Sequence, residues 1–274
     1  MVENNDLLTV DQRNYGIDIL RFLSMFFVVI IHVLGFGGVL SSTEFMSAQY
    51  NILLLVEAVA MCGVDCFVLI SGYVACTKRP KYANIVTLWL QVLFYSAGIT
   101  ILFFLLGEDI GLKSLIMSFF PVASQQYWFF TAYFGMFLIT PFLNIVIQKT
   151  DIGTLKWGLV ILSGLYIILN YMNSIFTGGS DLFGLNAGYS VIWFIVLYLI
   201  GGYIRRTDFL IKTHINKVLA IACGSIFITW GSRIIIEFLT YRFLGNAKSG
   251  GGNQIYFTNH LAVCDLFTGV VFKA

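Results

Sequence analysis

Apolar residues fall in long blocks along this chain, with short polar clusters between them. A helix that crosses a bilayer needs about 20 apolar residues. Seven stretches meet or approach that length: 17–37, 52–76, 84–106, 127–147, 157–173, 189–204 and 217–239. A weaker eighth, 255–272, carries His260 and Asp265. The stretch 111–121 is too short to span and is expected in the interface or a loop. The pattern predicts an all-α, polytopic transmembrane helical bundle of seven or eight helices, forming a single membrane domain over 1–274. No internal repeat is evident, and "KSGGGN" near 248–253 is the one low-complexity tract.

Charge in the intervening loops orients the bundle, because Lys and Arg collect on the cytoplasmic side. The loop after the second stretch holds Lys78, Arg79 and Lys81, the loop after the fourth Lys149 and Lys156, and the loop after the sixth Arg205, Arg206, Lys212 and Lys217. The alternate loops are poorer in both. Every even-numbered helix is therefore expected to end inside, which places the amino terminus in the cytoplasm as well.

Composition supports this reading. The chain is 58% hydrophobic and 11% charged, with mean hydropathy +0.86. A soluble domain carries about a quarter charged residues, so the chain cannot cover itself with polar surface. A net charge of +2 without a basic stripe gives no footprint for nucleic acid. The first apolar stretch follows a segment more acidic than basic and lacks a small-residue cleavage site, so it reads as a retained helix rather than a signal peptide. Cys62, Cys66, Cys76, Cys223 and Cys264 all lie in apolar stretches. Their spacing gives no metal-ligand pattern, and they read as small buried hydrophobes.

Ionisable residues inside spanning segments are costly and usually functional. The first helix, "GIDILRFLSMFFVVIIHVLGF", keeps Asp18, Arg21 and His32. Eleven positions separate Arg21 from His32, about 1100° of rotation, so they share a face but stand about 16 Å apart along the axis. Asp18, three before Arg21, is placed to pair with it. Bland readings exist for each: Arg21 as an interface anchor whose charge reaches water, His32 as an interhelical hydrogen bond. The second helix holds Glu57 near its outer end, at about the level of His32, and Asp65 near mid-depth. Glu57 also reads as a solvated helix-end residue. Ser71 and Gly72 are expected to permit close helix approach. In the fourth, Tyr127 and Trp128 suit an aromatic belt, and Pro141 is expected to loosen the inner half. In the seventh, Arg233 and Glu237 are four apart and placed to pair. No P-loop, dinucleotide fingerprint, G-x-S-x-G elbow or HExxH zinc motif is present.

These residues resemble the acyltransferase 3 family of bacterial membrane acyltransferases, which commonly acetylate cell-surface polysaccharides. "GIDILRFLSMFFVVIIH" is similar to the family's opening block, an Arg and a His with ten residues between them; Arg21 and His32 match it. "GVDCFVLISGY" resembles the second block, an apolar run ending in Ser-Gly and an aromatic. "YWFFTAYFGMFLITPFLN" resembles the third, with Trp128, Tyr133 and Pro141 in order. Members usually have more spanning helices and a longer chain, so the C-terminal part of the domain is expected to be missing here.

The resemblance implies an O-acetyltransferase of the cell membrane that moves an acyl group, most commonly acetyl, from acyl-CoA inside to a hydroxyl of an envelope polysaccharide or lipid-linked glycan. No bound cofactor or metal is expected; acyl-CoA is the donor substrate. Arg21, Lys78 and Arg79 are expected to hold donor phosphates, and His32 to act as base or transient acyl carrier, with Arg21 beside it in the catalytic set. Asp65 or Glu57 is expected to orient His32. Trp128, Tyr133, Arg233 and Glu57 are the expected acceptor-side residues. Two other classes use polar groups at mid-depth: a membrane transporter, and an inactive sensing or interaction module.

Overall fold

The computed structural model describes residues 14–124, 126–176, 184, 188–208 and 213–244. The expected stretch 255–272 lies outside the described residues, with His260 and Asp265. Ten helices are described: α1 (Tyr15–Gly35), α2 (Val39–Ser42), α3 (Ala48–Ala60), α4 (Gly63–Ala75), α5 (Tyr82–Leu105), α6 (Leu112–Met117), α7 (Trp128–Lys149), α8 (Ile152–Phe176), α9 (Val191–Thr207) and α10 (Ile215–Leu244). Among the described residues there is no strand.

Among the described residues, six segments are long and apolar enough to cross a membrane: Tyr15–Ser42, Ala48–Ala75, Tyr82–Leu105, Trp128–Lys149, Ile152–Asn170 and Ile215–Phe243. α9, at 17 residues, corresponds to the remaining expected stretch, 189–204. The fold is a helical membrane bundle. Stretch 111–121 contains only α6, six residues long, in keeping with its expected inability to span.

The second stretch is not one continuous helix. It divides into α3 and α4 around Met61 and Cys62. Cys62 Sγ donates to the Val59 carbonyl at 3.1 Å, competing for the acceptor a regular helix would offer to the amide of Gly63. Pro141 produces no such break: α7 runs through it from Trp128 to Lys149. Pro141 cannot supply the amide that would bond the Phe137 carbonyl, yet the flanking turns hold their course.

The core lies where α4, α7 and α9 meet, filled by Trp193, Phe194, Leu197, Tyr198, Leu69 and Met136. The α4–α9 crossing is backbone to backbone. A Cβ on Gly72 would stand 2.1 Å from the Tyr198 carbonyl oxygen, and one on Gly201 2.2 Å from that of Leu69. Small residues at a helix crossing are a recurrent device in membranes, where association relies on close packing. α1 packs on α4 at Gly63, opposite Ser24 and Val28.

Candidate functional site

A cavity of about 670 Å³ opens between α5 and the α1–α4–α7 block. Arg21 of α1 lines it, together with Lys78, Arg79 and Lys81 of the loop after α4. No Asp or Glu is among the described residues lining it. Tyr133 and Ser71 approach each other across it, hydroxyl to hydroxyl, at 3.5 Å. The cavity therefore gathers four expected site residues: Arg21, Lys78, Arg79 and Tyr133.

Carboxamides on α7 fix one end of this cavity. Asn144 Nδ2 donates to the carbonyls of Ala75 and Lys78, each at 3.1 Å. Gln148 Nε2 donates to Cys76 at 2.6 Å. The last carbonyls of a helix have no partners within it, and here α7 satisfies those of α4. Tyr198 Oη in turn donates to Asn144 Oδ1 at 2.8 Å. The backbone that carries Lys78 and Arg79 is thus tied to α7. Tyr133 lies eleven residues before Asn144, about 16 Å along the axis, so the Ser71–Tyr133 pair marks the opposite end. Ser71 faces the cavity, whereas Gly72 alone provides the close approach expected of both.

Arg21 is held by Asp18 at 3.4 Å, as the three-residue spacing anticipates. His32 is exposed and stands outside the cavity. Its Nδ1 lies 2.7 Å from the Val28 carbonyl. A carbonyl only accepts, so Nδ1 carries the proton and Nε2 keeps its lone pair in the neutral ring. That tautomer leaves a base or nucleophile directed away from its own helix. The Phe36 ring lies beside it, at 5.6 Å between centroids.

The expected orientation of His32 by Asp65 or Glu57 is not found: neither hydrogen-bonds His32 among the described residues. Each carboxylate is claimed elsewhere. Buried Asp65 accepts from Trp193 Nε1 at 3.3 Å. Glu57 Oε2 accepts from Arg233 Nη1 at 2.8 Å, so it is no solvated helix end. Nor does either line the cavity. Arg233 Nε also donates to Glu237 Oε1 at 2.5 Å, and Tyr50 Oη to Glu237 Oε2 at 2.7 Å. The intrahelical pair read from the sequence is thus part of a four-residue network joining α3 to α10. Trp128 stands apart from the cavity, edge-on to Tyr189 at 4.6 Å and near Phe194 at 6.3 Å.

Five contributors escaped the sequence reading: Trp193, Asn144, Gln148, Tyr198 and Tyr50. Asn144 and Gln148 do leave a signal, two carboxamides one turn apart near the end of an apolar helix. Trp193 and Tyr50 look like ordinary belt aromatics until their partners are known. Among the described residues, no group of three or more His, Cys, Asp or Glu is placed to hold a metal ion.

A multi-pass helical bundle with a cavity lined by Arg21, Lys78, Arg79 and Lys81, and by no Asp or Glu among the described residues, defines a membrane protein with a basic pocket at one end. The family comparison is more specific: the acyltransferase 3 family model, described as an acyltransferase domain, matches residues 14–270. The chain belongs to that family, and membrane acyl transfer is the activity this membership supports. Comparison with curated proteins gave no match, nor did comparison with solved structures.

Proposed function

We propose that this protein transfers an acyl group, most simply acetyl, from acyl-CoA bound at the basic-loop face to a hydroxyl of an envelope glycan. The observation that carries this reading is the cavity bearing Arg21, Lys78, Arg79 and Lys81 with no acidic residue on its described walls. Coenzyme A presents phosphates, and guanidinium groups match phosphate geometry with paired N–H donors while Lys adds point charge. Arg21 joins this set from α1, and His32 stands on the same helix about 16 Å further along. The nucleotide end of the donor occupies the basic mouth, and its arm extends past Tyr133 into the membrane.

The chemistry assigned to His32 follows from its tautomer. Nε2 accepts the proton of the acceptor hydroxyl as its oxygen attacks the thioester carbonyl carbon. The C–O bond forms, the C–S bond breaks, and the proton passes from the imidazolium to the departing thiolate, giving the ester and free coenzyme A. Glu57, Arg233 and Trp128 lie toward the opposite face, where the acceptor arrives. Labelled acetyl-CoA supplied to membranes containing the protein should label envelope glycan, and His32→Ala should abolish that transfer without reducing the amount of inserted protein. Near-normal labelling by the variant would remove His32 from the reaction. Absence of labelling by the wild-type protein, with acetyl-CoA and glycan both present, would remove the reaction itself.

A further inference from the structure

α5 carries three polar residues in its first three turns, Asn84, Thr87 and Gln91, and all three line the cavity. Their offsets of three and seven positions place them on one face of a helix. Val86, exposed and well off this face, gives that side of α5 a surface suited to lipid, and exposed Phe94, seven positions after Thr87 and three after Gln91, continues the polar face as an apolar one. The helix is anchored on both sides of this stripe: Tyr82 packs edge-on to Phe137 at 6.0 Å, and Ser96 Oγ donates to Gln126 Oε1 at 2.7 Å. Contacts to α7 and to the segment before it thus flank the stripe.

Thr87 Oγ1 donates to the Ala83 carbonyl at 2.9 Å. The carboxamides of Asn84 and Gln91 hydrogen-bond no described residue. Gln91 stands nine residues into α5, about 14 Å along it, and both carboxamides are exposed where they line the cavity. Each carboxamide offers donors and an acceptor together. The basic residues lie at one end of this row and the Ser71–Tyr133 pair at the other. A ligand that fits the whole row is anionic at one end and continues as a neutral chain bearing amides.

We propose that Asn84 and Gln91 recognise the amide-bearing arm of the acyl donor, the pantetheine segment between its phosphates and its thioester. This rests on the acyl-CoA reading above. The carboxamide of Asn84 meets the amide nearer the phosphates, and that of Gln91 the amide nearer sulfur, so the pair sets how far the thioester reaches into the membrane. The basic mouth holds the nucleotide; α5 holds and aims the arm.

Two probes divide these roles in the purified full chain. Coenzyme A carries the nucleotide and the arm, whereas 3′,5′-ADP carries only the nucleotide end. The double variant Asn84→Leu with Gln91→Leu, which keeps α5 apolar and membrane-compatible, should bind coenzyme A about tenfold more weakly. Its affinity for 3′,5′-ADP should be unchanged, which also shows that the cavity is intact. Arg79→Ala should weaken both probes. Equal weakening of both probes by the double variant would overturn the proposal, because the stripe would then serve the nucleotide or the fold. Unchanged coenzyme A binding would overturn it as well, leaving the carboxamides to water. Failure of the wild-type protein to bind either probe would overturn the acyl-CoA reading itself, a distinct result that takes this proposal with it.

Discussion

Arg233 holds one positive charge against two carboxylates, Glu57 at 2.8 Å and Glu237 at 2.5 Å, with its own side chain only 10% exposed. Removing one member of a buried ionic group strands the others, at about 3–5 kcal/mol. Arg233→Met should therefore lower thermal stability in detergent sharply, and adding Glu57→Gln and Glu237→Gln to that variant should restore much of the loss. If the triple variant is no more stable than Arg233→Met, charge stranding is not the cause. Asp151 shows the milder behaviour of an exposed group. The amide of Thr154 donates to its Oδ2 at 3.1 Å, and this bond leads the causes that hold its carboxyl below the ordinary carboxylate range. A pKa lowered on folding stabilises the protein above the ordinary Asp value of about 4, and that contribution is lost as pH falls through the folded value. Asp151→Asn should thus melt below wild type at neutral pH, with the gap closing in acid; a gap independent of pH would show that charge is not involved. At this scale the sequence is legible where partners are local. Asp18–Arg21 and Arg233–Glu237 follow from helical spacing. Glu57–Arg233 and Asp65–Trp193 do not, because 176 and 128 positions separate the partners.

The helices themselves are the most readable part, because twenty apolar residues carry their own explanation in a bilayer. Boundaries and crossings are less so. The α3–α4 division falls where the Cys62 thiol bonds the Val59 carbonyl, and Pro141 sits inside α7 without ending it. Both depend on local hydrogen-bond partners that periodicity does not report. The Ser-Gly-Tyr run acquires a physical account only in three dimensions. Gly72 lets α9 touch the α4 backbone, Ser71 faces the cavity, and Tyr73 receives a hydrogen bond from Arg205 at 3.1 Å. Because the atom that Gly72 meets is a backbone oxygen, no side-chain rotation relieves a larger residue. Gly72→Ala should cost about 1–3 kcal/mol, read as a lower melting temperature, and Gly72→Val should cost more. Equal stability of all three proteins would mean the helices are free to separate there. On α7, Asn144→Leu with Gln148→Leu removes the side-chain donors to the carbonyls of Ala75, Cys76 and Lys78, leaving Ala75 only the Lys78 amide, and slackens the loop that carries the cations. Coenzyme A binding should fall even though no positive charge has been removed. Unchanged binding would show that the loop holds its position without α7.

At the scale of the molecule, hydrogen bonds, ring contacts and a shared cavity sort several described helix ends into two faces. On one face, the end of α4 is bonded to the end of α7 through Asn144 and Gln148. Arg206, at the end of α9, donates to the carbonyls of Ile147 on α7 and of Thr150 just after it. Arg21, near the start of α1, lines a cavity with Lys78. On the other face, Phe45 before α3 lies 5.1 Å from Tyr241 near the end of α10, and Trp128 at the start of α7 lies 4.6 Å from Tyr189 before α9. The helices ending at the three basic loops therefore do so on one face, together with the start of α1, as alternation of the charged loops anticipates. If α3 and α4 had been separate crossings, that agreement would fail, so the two act as one span despite their division. The excess of Lys and Arg predicts that this face is the cytoplasmic one, and the proposed acyl-CoA donor requires it. In a cysteine-free background, a single cysteine at Thr77 should react with a membrane-impermeant maleimide only after cells are opened. A single cysteine at Glu44, in the segment between α2 and α3, should react in intact cells. The reverse pattern would turn the basic cavity outward, away from the cellular pool of acyl-CoA, and would dismiss the proposed donor whatever the affinity of Arg21, Lys78 and Arg79 for its phosphates.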